Sequence, residues 1–294
     1  MAKILNIGSL NLDYVYAVPH FVAAGETLLA SRRDVFAGGK GLNQTVAAAR
    51  AGAKVFHAGA VGADGDMLLA LLRDAGADVS AVRRVDVPTG HAVIQVTPQG
   101  ENAIWILGGA NRSFSADAVE GALGKVAAGD ILLLQNEING LDAILRRAAE
   151  KGLRILFNLA PMEAAVKDLP LHLLDTLIVN EDEGRALAGD MDDLRAAYPR
   201  QKILLTQGRR GAMLWTGSEL LFRPAFPVKA LDTTAAGDCF LGYYAAALSE
   251  GQPYAHALRL ASAASALAVQ RRGAAPSIPM RREVEAFLAR TRES

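Results

Sequence analysis

The segment Leu231-Asp-Thr-Thr-Ala-Ala-Gly-Asp-Cys-Phe240 carries the sharpest chemical signal in the chain. Small residues from Thr233 to Gly237 stand directly before an apolar helical run. Backbone N–H groups of Ala235, Ala236 and Gly237 can therefore point outward at a helix start, where the dipole favours an anion such as phosphate. Asp238 falls at that same point. A carboxylate beside an anion costs electrostatic energy unless it has another task, and accepting a proton from an attacking hydroxyl is such a task. Capping the helix is the competing account.

A second segment, Ala37-Gly-Gly-Lys-Gly-Leu-Asn-Gln44, again places glycines before a helix. Glycine lets backbone approach a polyhydroxylated ligand closely, while Lys40 and Asn43 supply donors. A plain strand-to-helix turn with a solvated Lys fits the same string. No Ser or Thr follows a Gly-Lys pair, and no G-x-G-x-x-G follows the first strand, so a P-loop NTPase and an ordinary dinucleotide enzyme both lose support.

Short apolar runs at Ile4–Ile7, Val55–Val61, Ile131–Leu134, Arg154–Phe157, Thr176–Val179 and Lys202–Leu205 read as strands that would hold these groups. Helical patterns at Gly41–Ala51, Met67–Ala75, Leu141–Lys151 and Asp182–Leu187 lie among them. Such alternation predicts an α/β fold with a mainly parallel sheet covered on both faces. Two regions break the rhythm: Asp13–Ala17 with Thr27–Phe36, and Gly90–Thr97 with Asn102–Leu107, read as antiparallel pairs of one small appended sheet. It would serve as a lid within about residues 13–36 and 90–107, its outer apolar face hidden by a second subunit. Gly237–Leu248 and Tyr254–Gln270 are Ala-rich helices. The 294 residues are expected to form a single domain with its lid.

Composition narrows the function classes. Hydrophobic residues make up 51% and charged residues 21%, as in a soluble globular protein. Lys plus Arg (31) equals Asp plus Glu (31), so a nucleic-acid partner is disfavoured. The single Cys239 excludes an internal disulfide, and the five scattered His residues argue against a structural zinc. No apolar run of about 18 residues and no signal-peptide centre occur, so the expected location is the cytoplasm, away from membranes.

Taken together, Gly38-Gly-Lys-Gly-Leu-Asn43 and Asp232-Thr-Thr-Ala-Ala-Gly-Asp238 resemble the two signatures of the ribokinase-like carbohydrate kinase family, in the right order and over essentially the whole chain. The resemblance implies a three-layer fold with a β-sheet lid. It assigns Asn11, Asp13, Gly39, Lys40, Asn43 and Glu137 to sugar hydroxyls, and Ala92, Ile94 and Ile104 to apolar sugar-facing positions. Asn180 and Glu183 match the family's Asn-x-x-Glu, whose Glu holds hydrated magnesium near the phosphates; without the resemblance, a charged helix start accounts for them. Thr206 and Gly208 fall to ATP, with a plain hairpin turn as the alternative, and Asn158 lies near the phosphates. Gly273-Ala-Ala-Pro-Ser277 resembles the loop enclosing a potassium ion, with Asp232 and Ser277 side chains and the carbonyls of Thr234, Ala268, Arg271 and Gly273 as ligands. An ordinary Gly-Pro turn is the alternative there.

The activity so implied transfers the ATP γ-phosphate to the 5-hydroxyl of D-ribose. Asp238 would act as general base, amides from Ala235 to Asp238 would receive negative charge, and the enzyme would be a homodimer through the lid. Kinases of deoxyribose, a fructose-type sugar or a nucleoside are the alternatives. A non-catalytic sugar sensor is disfavoured because Asp238 and the glycine-rich anion segment are both retained. Ser262 stands where the family often has Asn beside adenine. Cys239, His91 and Trp105 are assigned to packing and Asp64-Gly-Asp66 to helix capping.

Overall fold

The computed structural model describes residues 1–291. The chain begins with β1 (Ile4–Ile7), β2 (Asn11–Ala17), β3 (Arg32–Gly38), α1 (Lys40–Arg50), β4 (Val55–Val61), α2 (Asp66–Asp74) and β5 (Asp78–Arg84). There follow β6 (Gly90–Val96), β7 (Asn102–Leu107), α3 (Ala116–Leu123), β8 (Ile131–Gln135), α4 (Leu141–Glu150), β9 (Arg154–Asn158) and β10 (Thr176–Asn180). The remainder comprises α5 (Glu181–Ala188), α6 (Met191–Ala197), β11 (Lys202–Thr206), β12 (Ala212–Trp215), β13 (Leu220–Arg223), α7 (Ala236–Ser249), α8 (Tyr254–Ala268) and α9 (Arg281–Arg290).

Nine strands form one sheet in the order β13-β12-β11-β10-β9-β8-β1-β4-β5. The run from β5 to β11 is parallel, and β12 and β13 extend it antiparallel. Successive strand residues serve opposite cores. Ile4, Ile131, Leu133, Ile178 and Leu204 join one apolar cluster with α1, α2, α7, α8 and α9, while Leu5, Leu132, Leu134, Leu177 and Leu205 join the other with α3, α4, α5 and α6. Apolar residues on both faces of each strand are what a sheet sandwiched between helix layers requires. No helix among the described residues is long and apolar enough to cross a membrane.

The second sheet has the order β3-β2-β6-β7. Its hairpins were expected from sequence, but its centre is a parallel pairing of β2 with β6, 11↔90 through 17↔96. The expected strand from Thr27 begins only at Arg32, because residues 18–31 are a long connection closed by the Ser31 N–H to the Ala17 carbonyl at 2.9 Å. Register places Asp13 beside Ala92 and Ile94 beside Ile104, so these four share one face. On the other face Tyr14 and Val35 pack against the core. Ile104 and Ile106 are 52% and 62% exposed, and Trp105 on the opposite side of β7 is 53% exposed. Both faces of this edge strand therefore present apolar surface to solvent.

Candidate active site

Every parallel strand near the middle of the large sheet ends in polar residues: Gly8-Ser9 after β1, Asn136-Glu137 after β8, Asn158 on β9, Asn180 on β10 and Thr206 on β11. From β1 the sheet grows toward β4 on one side and β8 on the other. A crevice opens beyond the carboxyl ends of strands where such a sheet changes direction, and ligands bind there.

On the lid side of this crevice, Asn11 opens β2 and is buried. Its Oδ1 accepts from Asn111 Nδ2 at 2.7 Å, while Asn111 also pairs with both backbone groups of Leu10. With Oδ1 occupied, Asn11 offers its N–H groups to a ligand. Asp13 lies two residues further along β2, on the same face. Burial first, and then the charge of Glu137, push its carboxyl up to about 6. Gly38 backs directly on that carboxylate, since a Cβ there would sit 2.2 Å from Asp13 Oδ2. Glu137 Oε2 accepts from the Lys40 N–H at 3.0 Å and from the Ser9 hydroxyl, which fixes the start of α1 against the end of β8.

Asp238 stands in the first turn of α7. Its Oδ2 accepts from Asn43 Nδ2 at 3.0 Å and its Oδ1 from Gln44 Nε2 at 2.9 Å. Burial pushes its carboxyl up to about 6, although Lys40 and the two amide bonds pull the other way. Ala235, directly before α7, has φ of 58°, a left-handed conformation that non-glycine residues keep mainly at functional sites. The N–H groups of Ala235, Gly237 and Asp238 meet no acceptor among the described residues and border the cleft, an arrangement able to receive an anion. Ala236 departs from expectation. Its N–H donates to the Thr233 carbonyl at 3.2 Å, closing the turn that produces the left-handed residue. The Ser265 hydroxyl, from α8, ties down the Ala236 carbonyl at 3.1 Å.

Across the cleft, Asn180 and Glu183 cap α5 reciprocally: Glu183 Oε2 accepts from the Asn180 N–H at 2.9 Å and Asn180 Oδ1 from the Glu183 N–H at 2.8 Å. Capping does not remove them from the cleft. About 200 Å³ of space is lined by Lys40, Asn158, Asn180, Glu183, Thr206 and the residues from Ala235 to Asp238. Burial raises the Glu183 carboxyl above its ordinary range, with the Lys40 charge opposing. Lys40 thus faces the carboxylates of both Asp238 and Glu183, while its backbone N–H reaches Glu137. Gly208 lies outside the cleft lining, exposed in the β11–β12 hairpin.

Behind α7, two loops meet on Asp232. Its Oδ2 accepts from the Gly273 N–H at 2.8 Å and its Oδ1 from the N–H and hydroxyl of Thr234 at 2.9 and 2.6 Å. Leu231 and Asp232 both donate to the Val269 carbonyl. The Ala268 carbonyl accepts from the Arg271 N–H, and the buried Ser277 hydroxyl donates to the Ala274 carbonyl.

Residues 1–281 match the family model described as pfkB family carbohydrate kinase. The chain belongs to this family. It is similar to the ribokinase of Haemophilus influenzae, 35% identical with 98% of this chain and 99% of the relative covered. Among solved structures it superposes on ribokinase from Cryptococcus neoformans var. grubii serotype A in complex with ADP, at TM-score 0.87 and 32% identity, covering 97% and 99% of the two chains. Arabidopsis thaliana ribokinase complexed with ribose and ATP gives the same TM-score at 30% identity, with 98% of each chain covered.

This carbohydrate kinase is a phosphotransferase acting on an alcohol group. Its expected residues converge from distant parts of the chain, with Asn11, Asp13, Gly39, Asn43 and Glu137 on the lid side of Asp238 and Lys40, Asn180, Glu183 and Thr206 on the other. Sequence reasoning missed Ser9, Gln44 and Asn111. Gln44 directly follows the glycine-rich signature and was open to notice. Asn111 reaches Asn11 from 100 residues away, and nothing in the spacing signals it.

Proposed function

We propose that this carbohydrate kinase transfers the γ-phosphate of ATP to the 5-hydroxyl of D-ribose, with Asp238 as general base. The observation that carries this reading is the position of the Asp238 carboxylate. It is held by the amides of Asn43 and Gln44 beside three N–H groups that meet no acceptor among the described residues, which suits a hydroxyl on one side and a phosphate on the other. Asn11, Asp13, Asn43 and Glu137 would orient the sugar so that its primary hydroxyl lies against Asp238. Asp238 takes the proton as the hydroxyl attacks the phosphorus in line. Lys40 and the amides of Ala235, Gly237 and Asp238 receive the negative charge gathering on the transferred group. The ribokinase relatives favour ribose over deoxyribose, a fructose-type sugar or a nucleoside.

Two ions suit the residues present. Glu183 Oε1 accepts no hydrogen bond among the described residues and faces the cleft, where it would hold hydrated magnesium beside the phosphates and neutralise their charge. The oxygens of Asp232, Ser277, Thr234, Ala268, Arg271 and Gly273 form a hard donor set suited to potassium. That ion would steady the loop feeding the anion seat. The apolar exposure of Phe36, Ile104, Trp105 and Ile106 supports a homodimer joined through the lid, and the requirement for ATP supports a cytoplasmic location.

A coupled ADP-release assay over ribose, deoxyribose, fructose and adenosine tests the substrate. Ribose should give the highest kcat/KM, and a tenfold preference for another acceptor would replace it. Light scattering at micromolar concentration should give the mass of a dimer; a stable monomer removes the lid interface.

A further inference from the structure

Beneath the crevice, a run of polar side chains crosses the core between helix and sheet. Gln44 Nε2 donates to Asp238 Oδ1 at 2.9 Å. Gln135 Nε2, at the end of β8, donates to Gln44 Oε1 at 2.8 Å and to Asn6 Oδ1 at 3.1 Å. Asn6 Nδ2, on β1, donates to the Gly41 carbonyl at 2.9 Å and to Thr45 Oγ1 at 2.8 Å. Thr45 Oγ1 lies 2.7 Å from His57 Nδ1 on β4. Asn6, Gln44, Thr45, His57 and Gln135 are all completely buried.

An amide side chain presents donors at one end and an acceptor at the other, so its orientation is set by its partners. Asp238 as a carboxylate requires an N–H from Gln44. That turns Gln44 Oε1 toward Gln135, which must then present its N–H groups, so Asn6 must answer with Oδ1. The Asn6 N–H groups are left facing Gly41. Counting from the other end gives the same result, because the Gly41 carbonyl accepts only. Both ends of the run thus dictate one set of orientations, and flipping any single amide sets like groups against each other. Packing alone does not call for five buried polar side chains, since apolar groups of similar volume would fill the space without desolvation cost.

We infer that Gln44 and Gln135 are positioning residues that act through Asp238, holding Oδ1 so that Oδ2 is the oxygen that meets the acceptor hydroxyl. Among the described residues, Oδ2 accepts only from Asn43 Nδ2. The inference rests on the reading of Asp238 as the base. Lys40 from α1 and Glu137 from the turn after β8 are the charged groups acting on Asp238, and the far end of the run closes on neutral His57.

Gln44→Met removes the direct bond, and Gln135→Met removes the hub one bond away; each keeps side-chain length. Loss of the bond to the carboxylate should lower kcat by about tenfold, by the usual worth of a hydrogen bond to a charged group. The KM values of sugar and nucleotide should stay within about threefold, and the acid limb of the kcat profile should move to higher pH, because a bond favouring the charged form is gone. A structural role alone would lower the unfolding temperature and leave the acid limb in place. Unchanged kcat and pH profile in either folded variant overturns the inference, as does a rise in sugar KM that accounts for the whole loss. Asp238→Asn, measured alongside, separates the two readings. Near-normal turnover there removes the base assignment and the positioning role with it, whereas a large loss there beside unaffected Gln44→Met removes the positioning role alone.

Discussion

Asp238→Asn removes the charge of the proposed base while keeping its shape. Burial lifts the Asp238 carboxyl from 3.8 to about 6, against the bonds from Gln44 and Asn43 and the charge of Lys40. A rise of that size corresponds to roughly 3 kcal/mol between the two protonation states. Because the folded value lies above the unfolded one, the folded chain holds an extra proton between about pH 4 and pH 6. Wild-type stability owing to this group therefore falls as pH rises through that window, and the deficit is complete above it. Asn does not titrate. It sets one N–H against the N–H of Gln44 or Asn43, at a cost of about 1 kcal/mol. The variant should then be about 1 kcal/mol less stable than wild type near pH 4 and about 2 kcal/mol more stable near pH 7.5. Turnover should fall by about 10²-fold or more, the usual size of a general-base effect. Denaturant unfolding of both proteins from pH 4 to pH 8, with turnover measured on the same samples, checks each part. A stability difference that does not change with pH would show that the buried charge carries no such cost, and retained turnover would show that it is not the base.

Gly38→Ala places a methyl group against the Asp13 carboxylate, 2.2 Å from Oδ2, so the sugar KM should rise by about tenfold while the nucleotide KM holds; equal changes in both would mean that Asp13 is not a sugar contact. Gly242→Ala drives a Cβ to 2.4 Å from that of Ala47 and 2.6 Å from the Gln44 carbonyl. Chemical unfolding should register a loss of about 1–3 kcal/mol from parting α1 and α7, and an unchanged midpoint would refute the tight contact. Replacing sodium by potassium at constant ionic strength should stimulate the rate, an effect that Asp232→Asn should abolish; equal rates in the two salts would dismiss the cation site.

The extent to which this protein is legible in its sequence follows the range of the interactions involved. Strand-forming runs such as Ile131–Leu134 and the glycine-rich starts of α1 and α7 are local signals, set by side-chain periodicity and by where small residues free the backbone. They were sufficient for the α/β class, the lid hairpins and Asp238 as the residue of interest. The parallel pairing of β2 with β6 joins segments about 80 residues apart and left no local trace, nor did the late start of β3 at Arg32.

The residue types and chain order alone determined which groups were available: one acid at a helix start, donors on the glycine-rich turn, and carboxylates and amides after the strands. Tertiary structure decided how each is oriented and paired. Lys40 turned toward Glu183 and Asp238, the Ala236 N–H was drawn into a turn, and Gln44, Gln135 and Asn6 became one buried run. A side chain's hydrogen-bond partners depend on which distant elements pack against it. In a water-free interior an unpaired group is costly, so the amide orientations emerge only once β1, β8, α1 and α7 are in place.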